Sequence, residues 1–163
     1  MSEALIGVIG GSGLYEMKEL EDVEEVVIDT PFGPPSAPFI IGTLSGKRIA
    51  FLPRHGIGHV LMPSEIPFLA NIYGFRKLGC EWIISVSAVG SMKEEIHPGD
   101  IVIPDQFIDL TTKRKSTFFG DGLVAHVSMA DPVCSDLSTI LENAARDSGA
   151  IVHGGGTYVC MEG

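Results

Sequence analysis

The stretch "FLPRHGIGH", residues 51–59, sets Arg54 beside His55 at the end of a strand-like run, with His59 two glycines further on. A guanidinium presents a planar fork that matches two oxygens of a phosphate. An imidazole adds a donor, and a positive charge when protonated. Three such groups on a glycine-loosened turn point to a small anion. A second candidate is "GVIGGSGLYE", residues 7–16, where an apolar strand ends in Gly10-Gly11-Ser12-Gly13. Glycines admit close approach of the backbone, successive N–H groups can form an anion nest, and the Ser12 hydroxyl adds a donor. The spacing excludes three better-known loops. Glu16 stands where a dinucleotide fingerprint needs its third glycine, no lysine follows as a P-loop requires, and Leu14 fills the last position of a hydrolase elbow. A phosphate loop and a plain strand-end turn fit this segment equally.

A third group is "SVSAVGSM", residues 85–92, which offers the Ser87 hydroxyl and the Ala88 N–H at a strand end. Such small hydroxyl residues often pack without further role. With Ser12 and Arg54/His55, however, they give three strand ends free of negative charge. Together these would build a phosphate pocket from hydroxyls, amides and one guanidinium. No His, Cys or carboxylate cluster has metal-ligand spacing, and no metal or cofactor is expected. The fourth group is "MEG", Met161-Glu162-Gly163. Glu162 can bond a sugar hydroxyl or a base edge, and Met161 can pack on a flat ring. Spacing alone favours a strand-end salt bridge and a core methionine instead.

These residues sit in a 163-residue chain that is 45% hydrophobic and carries a formal charge of −10. That length supports one compact domain with a real core. The acidity argues against a nucleic-acid partner, which needs a basic face. The basic cluster "TKRKST", residues 112–117, reads as a solvated loop. Net charge does not forbid a local anion site, because a few convergent donors decide that locally. No apolar run approaches the roughly 20 residues of a membrane span, and "MSEALIGVIGG" lacks the basic flank of a signal peptide. Cys80, Cys134 and Cys160 each adjoin an apolar run and read as buried free thiols of a reducing compartment.

Strands are expected at Leu5–Ile9, Glu24–Asp29, Phe39–Leu44, Lys47–Leu52, Trp82–Val89, Asp100–Ile103 and Thr157–Met161. "WIISVSAV" is nearly unbroken in apolar and small residues, as in a central strand covered on both faces. One helix is expected from Glu65 to Leu78, capped by Ser64 and stopped by Gly79. Another runs from Cys134 or Ser135 to Arg146, with Leu137, Ile140, Leu141 and Ala144 at helical spacing. "TPFGPPSAP", residues 30–38, must be loop. The expected fold is α/β, a mixed central β-sheet flanked by helices in a single domain over 1–163. A strand that feeds a turn and stops at "MEG" reads as a sheet incomplete at the C-terminus, from a fragment or one chain of a cleaved pair.

The segments "IGVIGGSGLYE", "DTPFGPPS", "PRHGIGHVLMPSEIPFLANIYGFRKLGC", "SAVGSMKEEIHPGDIVIPDQFIDLTTKR" and "TYVCMEG" resemble the trimeric purine nucleoside phosphorylase family, and within it the branch acting on 5′-methylthioadenosine. The resemblance runs over essentially the whole chain. It implies phosphorolysis: inorganic phosphate, a co-substrate, cleaves a purine nucleoside to free base and pentose 1-phosphate. For this branch the products are adenine and 5-methylthioribose 1-phosphate, in cytoplasmic methionine and purine salvage. It places Ser12, Arg54, His55, Ser87 and Ala88 at phosphate and Met161 and Glu162 at the nucleoside. His126, in "VAHVSMADP", would be lent from a neighbouring subunit of a homotrimer or a trimer of dimers. The family's general-acid aspartate is expected beyond Gly163, in a C-terminal half that a second chain would supply if the enzyme is cleaved, so no catalytic residue is assigned.

Three rivals remain at this point. A sibling enzyme of the same family would prefer 6-oxopurines such as methylthioinosine, inosine or guanosine. A truncated chain would bind phosphate without catalysis. A phosphohistidine-type phosphatase would use "RHG" with His55 as nucleophile, but there the motif closes the first strand and here it follows the fourth strand-like stretch.

Overall fold

The computed structural model describes residues 6–11 and 17–162. They form two compact units, the first containing residues up to Ala88 with Lys115–Phe118, the second Val89–Arg114 with residues from Phe119 on. The first unit holds a five-stranded mixed sheet. Its strands are β1 (Ile6–Gly10), β2 (Glu21–Val26), β3 (Phe39–Leu44), β4 (Lys47–Pro53) and β5 (Trp82–Ser85), in the order β2-β3-β4-β1-β5. β2, β3 and β4 run antiparallel, while β4, β1 and β5 run parallel.

Side chains alternate across a strand, and β4 uses that alternation to serve two cores. Ala50 and Leu52 face a cluster with Ile9, Phe39, Ile41, Phe75 and Leu78, while Ile49 and Phe51 join Ile40 on the opposite face. The first cluster receives helix α1 (Phe68–Lys77). That helix starts later than the sequence indicates. Pro63–Glu65 form a separate 3₁₀ turn, Ile66 is held extended at ψ 123°, and Pro67 becomes the N-cap. A residue before proline is disfavoured in the helical region, which breaks the run there. Its end is as expected, with Gly79 at φ +88° closing the last turn.

Two expectations for this sheet are corrected. β5 ends at Ser85 rather than Val89, and among the described residues it bonds only to β1, with Trp82 and Val86 exposed. Among the described residues its side chains are half-buried or exposed, so the coverage on both faces that its composition suggested is not seen there. β2 lies three residues earlier than expected and carries a register irregularity between Glu21 and Glu24, where Asp22 has φ +48°. Leu5, the expected start of β1, lies outside the described residues. The 30–38 segment is loop as expected.

The second unit contains β6 (Ile101–Ile103), β7 (Gln106–Asp109), α2 (Ser135–Asp147), β8 (Val152–Gly154) and β9 (Thr157–Cys160). Two parallel ladders, β6–β8 and β7–β9, meet where Asp105 N–H donates to the Gly156 carbonyl and Gly156 N–H donates to Asp105 Oδ1. β7 and β8 escape sequence reading because they are short and owe their existence to partners some 50 residues away. α2 has the expected bounds, but Ile140 and Ala144 are exposed and Leu137, Leu141 and Glu142 turn inward. The Glu142 carboxylate lies over Gly154, where a β-carbon would come within 2.5 Å of Oε1. At the start of β6, Asp100 Oδ2 accepts the His97 N–H at 3.0 Å and contacts His153 Nε2 at 2.8 Å, tying β6 to β8. These bonds, led by that from the His97 backbone, hold the Asp100 carboxyl below its ordinary range.

Two stability tests follow from these contacts. A β-carbon at Gly74 would stand 2.5 Å from Phe39 Cζ, and Phe39 is fully buried and packed edge-on against Phe75 at 4.9 Å. Gly74→Ala gains about 1 kcal/mol of helix propensity, but overpacking a closed core costs about 1–3 kcal/mol. Urea unfolding should show a net loss of up to about 2 kcal/mol, the cost of overpacking less the gain in propensity. Asp100, depressed in the folded state, stabilises above the unfolded carboxyl value of about 4, and that contribution disappears as pH falls through the folded value. Asp100→Asn should therefore lower the urea midpoint at pH 7, with the difference from the parent narrowing as pH falls below about 4.

Candidate functional site

Three parallel strands end at one level because Gly10 pairs with Pro53 and Ile9 with Ser85. Two backbone bonds carry the chain just past those ends: Arg54 N–H donates to the Gly10 carbonyl at 3.0 Å, and Val86 N–H to the Ile9 carbonyl at 2.9 Å. The carboxyl ends of parallel strands are where open α/β sheets bind ligands. Arg54 lies at this edge. Its Nη1 donates to the Val86 carbonyl at 2.7 Å and its Nε to His55 Nε2 at 3.2 Å. Both acceptors are neutral. Among the described residues Arg48 is paired with Glu24 and Arg146 with Glu142, but no carboxylate is paired with Arg54.

His55 is buried, with Nδ1 2.8 Å from the Leu61 carbonyl. A carbonyl only accepts, so Nδ1 carries the proton and Nε2 is the acceptor for Arg54. In this arrangement His55 orients the guanidinium instead of offering a donor of its own. The ring of His59 stacks on it, with centroids 4.3 Å apart and planes 16° apart. The turn that allows this has positive φ at Gly56, Gly58 and His59. Gly56 is required twice over, by φ +75° and by space. A β-carbon there would meet Val60 at 3.1 Å and the Ser36 carbonyl at 3.3 Å. Ser36 is in turn fixed by Asn71, fully buried in α1, whose Oδ1 accepts the Ser36 N–H and whose Nδ2 donates to its hydroxyl. An asparagine on the apolar face of α1 is the one sequence signal that could have revealed this brace.

Ser87 and Ala88 are exposed and follow directly on the carbonyl that Arg54 grips. Arg54, His55, Ser87 and Ala88 thus share one sheet edge. Ser12 lies outside the described residues. Gly11, just past β1, has room around its α-carbon.

The remaining candidates belong to the second unit. Glu162 Oε1 accepts the Lys113 N–H at 2.7 Å and Oε2 the Thr112 hydroxyl at 2.9 Å. The Lys113 backbone bond is the main reason its carboxyl lies below the usual range. Neither a salt bridge to a side chain nor a bare carboxylate is what forms here. Asp109 likewise accepts the Thr111 N–H, chiefly for which its carboxyl is also lowered, so the segment after β7 is tied at two points. Met161 is exposed, against its reading as a core residue, and His126 is exposed on its loop. The cysteines need one correction. All three are free, but Cys134 is exposed and Cys160 half-buried, and only Cys80 is buried, its thiol pushed up to about 11 by burial. Among the described residues no three His, Cys, Asp or Glu side chains gather as a metal site, and no helix is long and apolar enough to cross a membrane.

A mixed sheet with an arginine-bearing turn at its carboxyl edge defines a class that comparison with known proteins identifies. Residues 5–163 match the phosphorylase superfamily, and the chain belongs to it. Similar proteins include the S-methyl-5′-thioadenosine phosphorylases of Geobacter sulfurreducens, 64% identical over 162 residues, and Koribacter versatilis, 58% identical over 161. These matches cover 99% of this chain but 57% and 55% of those proteins, so the chain spans about half their length. Among solved structures, a methylthioadenosine phosphorylase from an antarctic soil metagenomic library superposes with TM-score 0.97 at 52% identity, covering 100% of this chain and 58% of that one. The methylthioadenosine phosphorylase of Schistosoma mansoni in complex with adenine gives 0.91 at 34% identity, over 99% and 66%.

The Glu162 tie is testable by amide exchange. Hydrogen bonds to charged groups are shorter and stronger than neutral ones. Glu162→Ala should speed exchange at Lys113 by about tenfold or more, with β4 amides unchanged.

Proposed function

We propose that the protein is a 5′-methylthioadenosine phosphorylase, which converts 5′-methylthioadenosine and inorganic phosphate to adenine and 5-methylthioribose 1-phosphate. The observation that carries this reading is the Arg54 guanidinium, held at the carboxyl edge of the sheet by two neutral acceptors and paired with no carboxylate among the described residues. Similarity to methylthioadenosine phosphorylases over nearly the whole chain supports the choice of nucleoside.

In this reading Arg54 anchors the phosphate, with His55 setting its direction and Ser12, Ser87 and the Ala88 N–H adding donors. The C1′–N9 bond breaks with its electron pair passing to the purine, and a phosphate oxygen bonds to C1′. The departing purine takes up a proton, a step assigned to no residue of this chain. The bound dianion stabilises the positive sugar as it develops, so orientation and electrostatics do most of the work. Met161, Glu162 and, from a neighbouring subunit, His126 complete the nucleoside side, and phosphate is a co-substrate with no further cofactor.

We assign 1–163 to one phosphorylase domain, working as a homotrimer in the cytoplasm. Three free cysteines support a reducing compartment. The exposed Leu123, Val124, Val127 and Met129 around His126 support a subunit contact.

The test is adenine release from methylthioadenosine by the intact protein, with and without phosphate. Release should require phosphate, and Arg54→Ala should reduce kcat/KM for phosphate by about 100-fold or more, the scale of one lost preorganised donor group. Phosphate-independent release would overturn phosphorolysis. Hypoxanthine from methylthioinosine, with no adenine from methylthioadenosine, would move the activity to 6-oxopurines.

A further inference from the structure

We infer that His59 is a positioning residue of the anion site, acting through His55 on the Arg54 guanidinium. The inference rests on the reading of Arg54 as the phosphate anchor and gives His59, which spacing only placed on the same turn, a specific role through His55.

The contacts form one chain. His55 is constrained in its ring plane at both nitrogens, by the Leu61 carbonyl at 2.8 Å and by Arg54 Nε at 3.2 Å. Two hydrogen bonds resist rotation of the ring about Cβ–Cγ only in part, and a stacked neighbour adds a steric barrier to it. His59 is that neighbour, at 4.3 Å and nearly parallel. Tilting His55 would swing the Nε2 lone pair off the Arg54 N–H. The Val86 carbonyl would then be left as the other hold on the guanidinium.

The backbone at His59 supports the same conclusion. Its φ is +58°, a region that glycine enters freely and other residues adopt at a cost. It follows Gly58, itself at φ +77°, and its N–H closes the turn onto the Gly56 carbonyl at 3.2 Å. A glycine at 59 would serve that turn with less strain. What the histidine brings is its ring, and that ring lies on His55. The ring is exposed and makes no side-chain hydrogen bond within the described residues, so stacking is the contact by which it acts.

Three variants of the intact protein test this. His59→Phe keeps an aromatic face and removes both ring nitrogens, His59→Ala removes the ring, and His59→Gly removes it while relieving the backbone. The Ala and Gly variants should raise the phosphate KM by about 3- to 10-fold, the scale of an aromatic pair, with kcat and the methylthioadenosine KM within about twofold of the parent. Phe should restore the phosphate KM. Independently of turnover, the ¹⁵N spectrum should show His55 protonated at Nδ1. The Arg54 Nε–H should exchange slowly in the parent and the Phe variant and quickly in Ala and Gly. An unchanged phosphate KM and unchanged Arg54 exchange in the Gly variant would overturn the inference. So would a Phe variant as impaired as Ala, which would mean that a ring nitrogen acts. Titration of Arg54→Ala with inorganic phosphate separates the underlying reading. Undiminished binding there removes Arg54 as anchor, whatever His59 does to Arg54 exchange.

Discussion

Every chemical feature of the first unit depends on the register of three parallel strands. Pairing of Gly10 with Pro53 and of Ile9 with Ser85 makes β1, β4 and β5 stop together. A slip of one residue would turn each strand's side chains to the other face. Ala50 and Leu52 would leave the α1 side for the side occupied by Ile49 and Phe51, and both cores would be lost. The hydrophobic pattern of β4 therefore fixes where Arg54 emerges. The same register places the Val86 carbonyl within reach of its Nη1. Core and site are set by one constraint.

The second unit is organised differently. None of its described residues is fully buried, and Ile101, Phe107, Ile108 and Ile151 remain exposed. Its order comes instead from carboxylates that accept backbone N–H groups: Asp100 from His97, Asp105 from Gly156, Asp109 from Thr111 and Glu162 from Lys113. Each closes a turn at or beside the end of a short parallel ladder. Charge-assisted bonds of this kind are directional, so they fix loop geometry where burial does not.

Much of the architecture was legible because it is local. The alternation in Lys47–Pro53, the proline and glycine punctuation of residues 30–38 and the stop at Gly79 each act within a few residues. Arg54 and His55 were legible for the same reason, as unusual types directly after a strand. What was hidden consists of backbone atoms and distant partners. The carbonyls of Leu61 and Val86 carry no sequence signal, and β7 and β8 exist through pairings across some 50 residues. The expectation that β5 is covered on both faces is not met among the described residues, where its side chains are half-buried or exposed. His55 was read as a donor because residue type was visible and tautomer was not. The tautomer is set by a carbonyl six residues away.

A formal charge of −10 does not preclude a local site for an anion, because the reach of each charge depends on distance. At physiological ionic strength, exposed charges are screened beyond about 8 Å. A guanidinium in hydrogen-bond contact acts at about 3 Å, where a partly dry surrounding multiplies its effect several-fold over water. What matters is whether that charge is already spent. In Arg48 and Arg146 it is, against Glu24 and Glu142. In Arg54 the structure holds the group just as firmly but with an imidazole lone pair and a peptide carbonyl. Among the described residues Arg54 is thus held without a carboxylate partner, which distinguishes it from the two salt-bridged arginines.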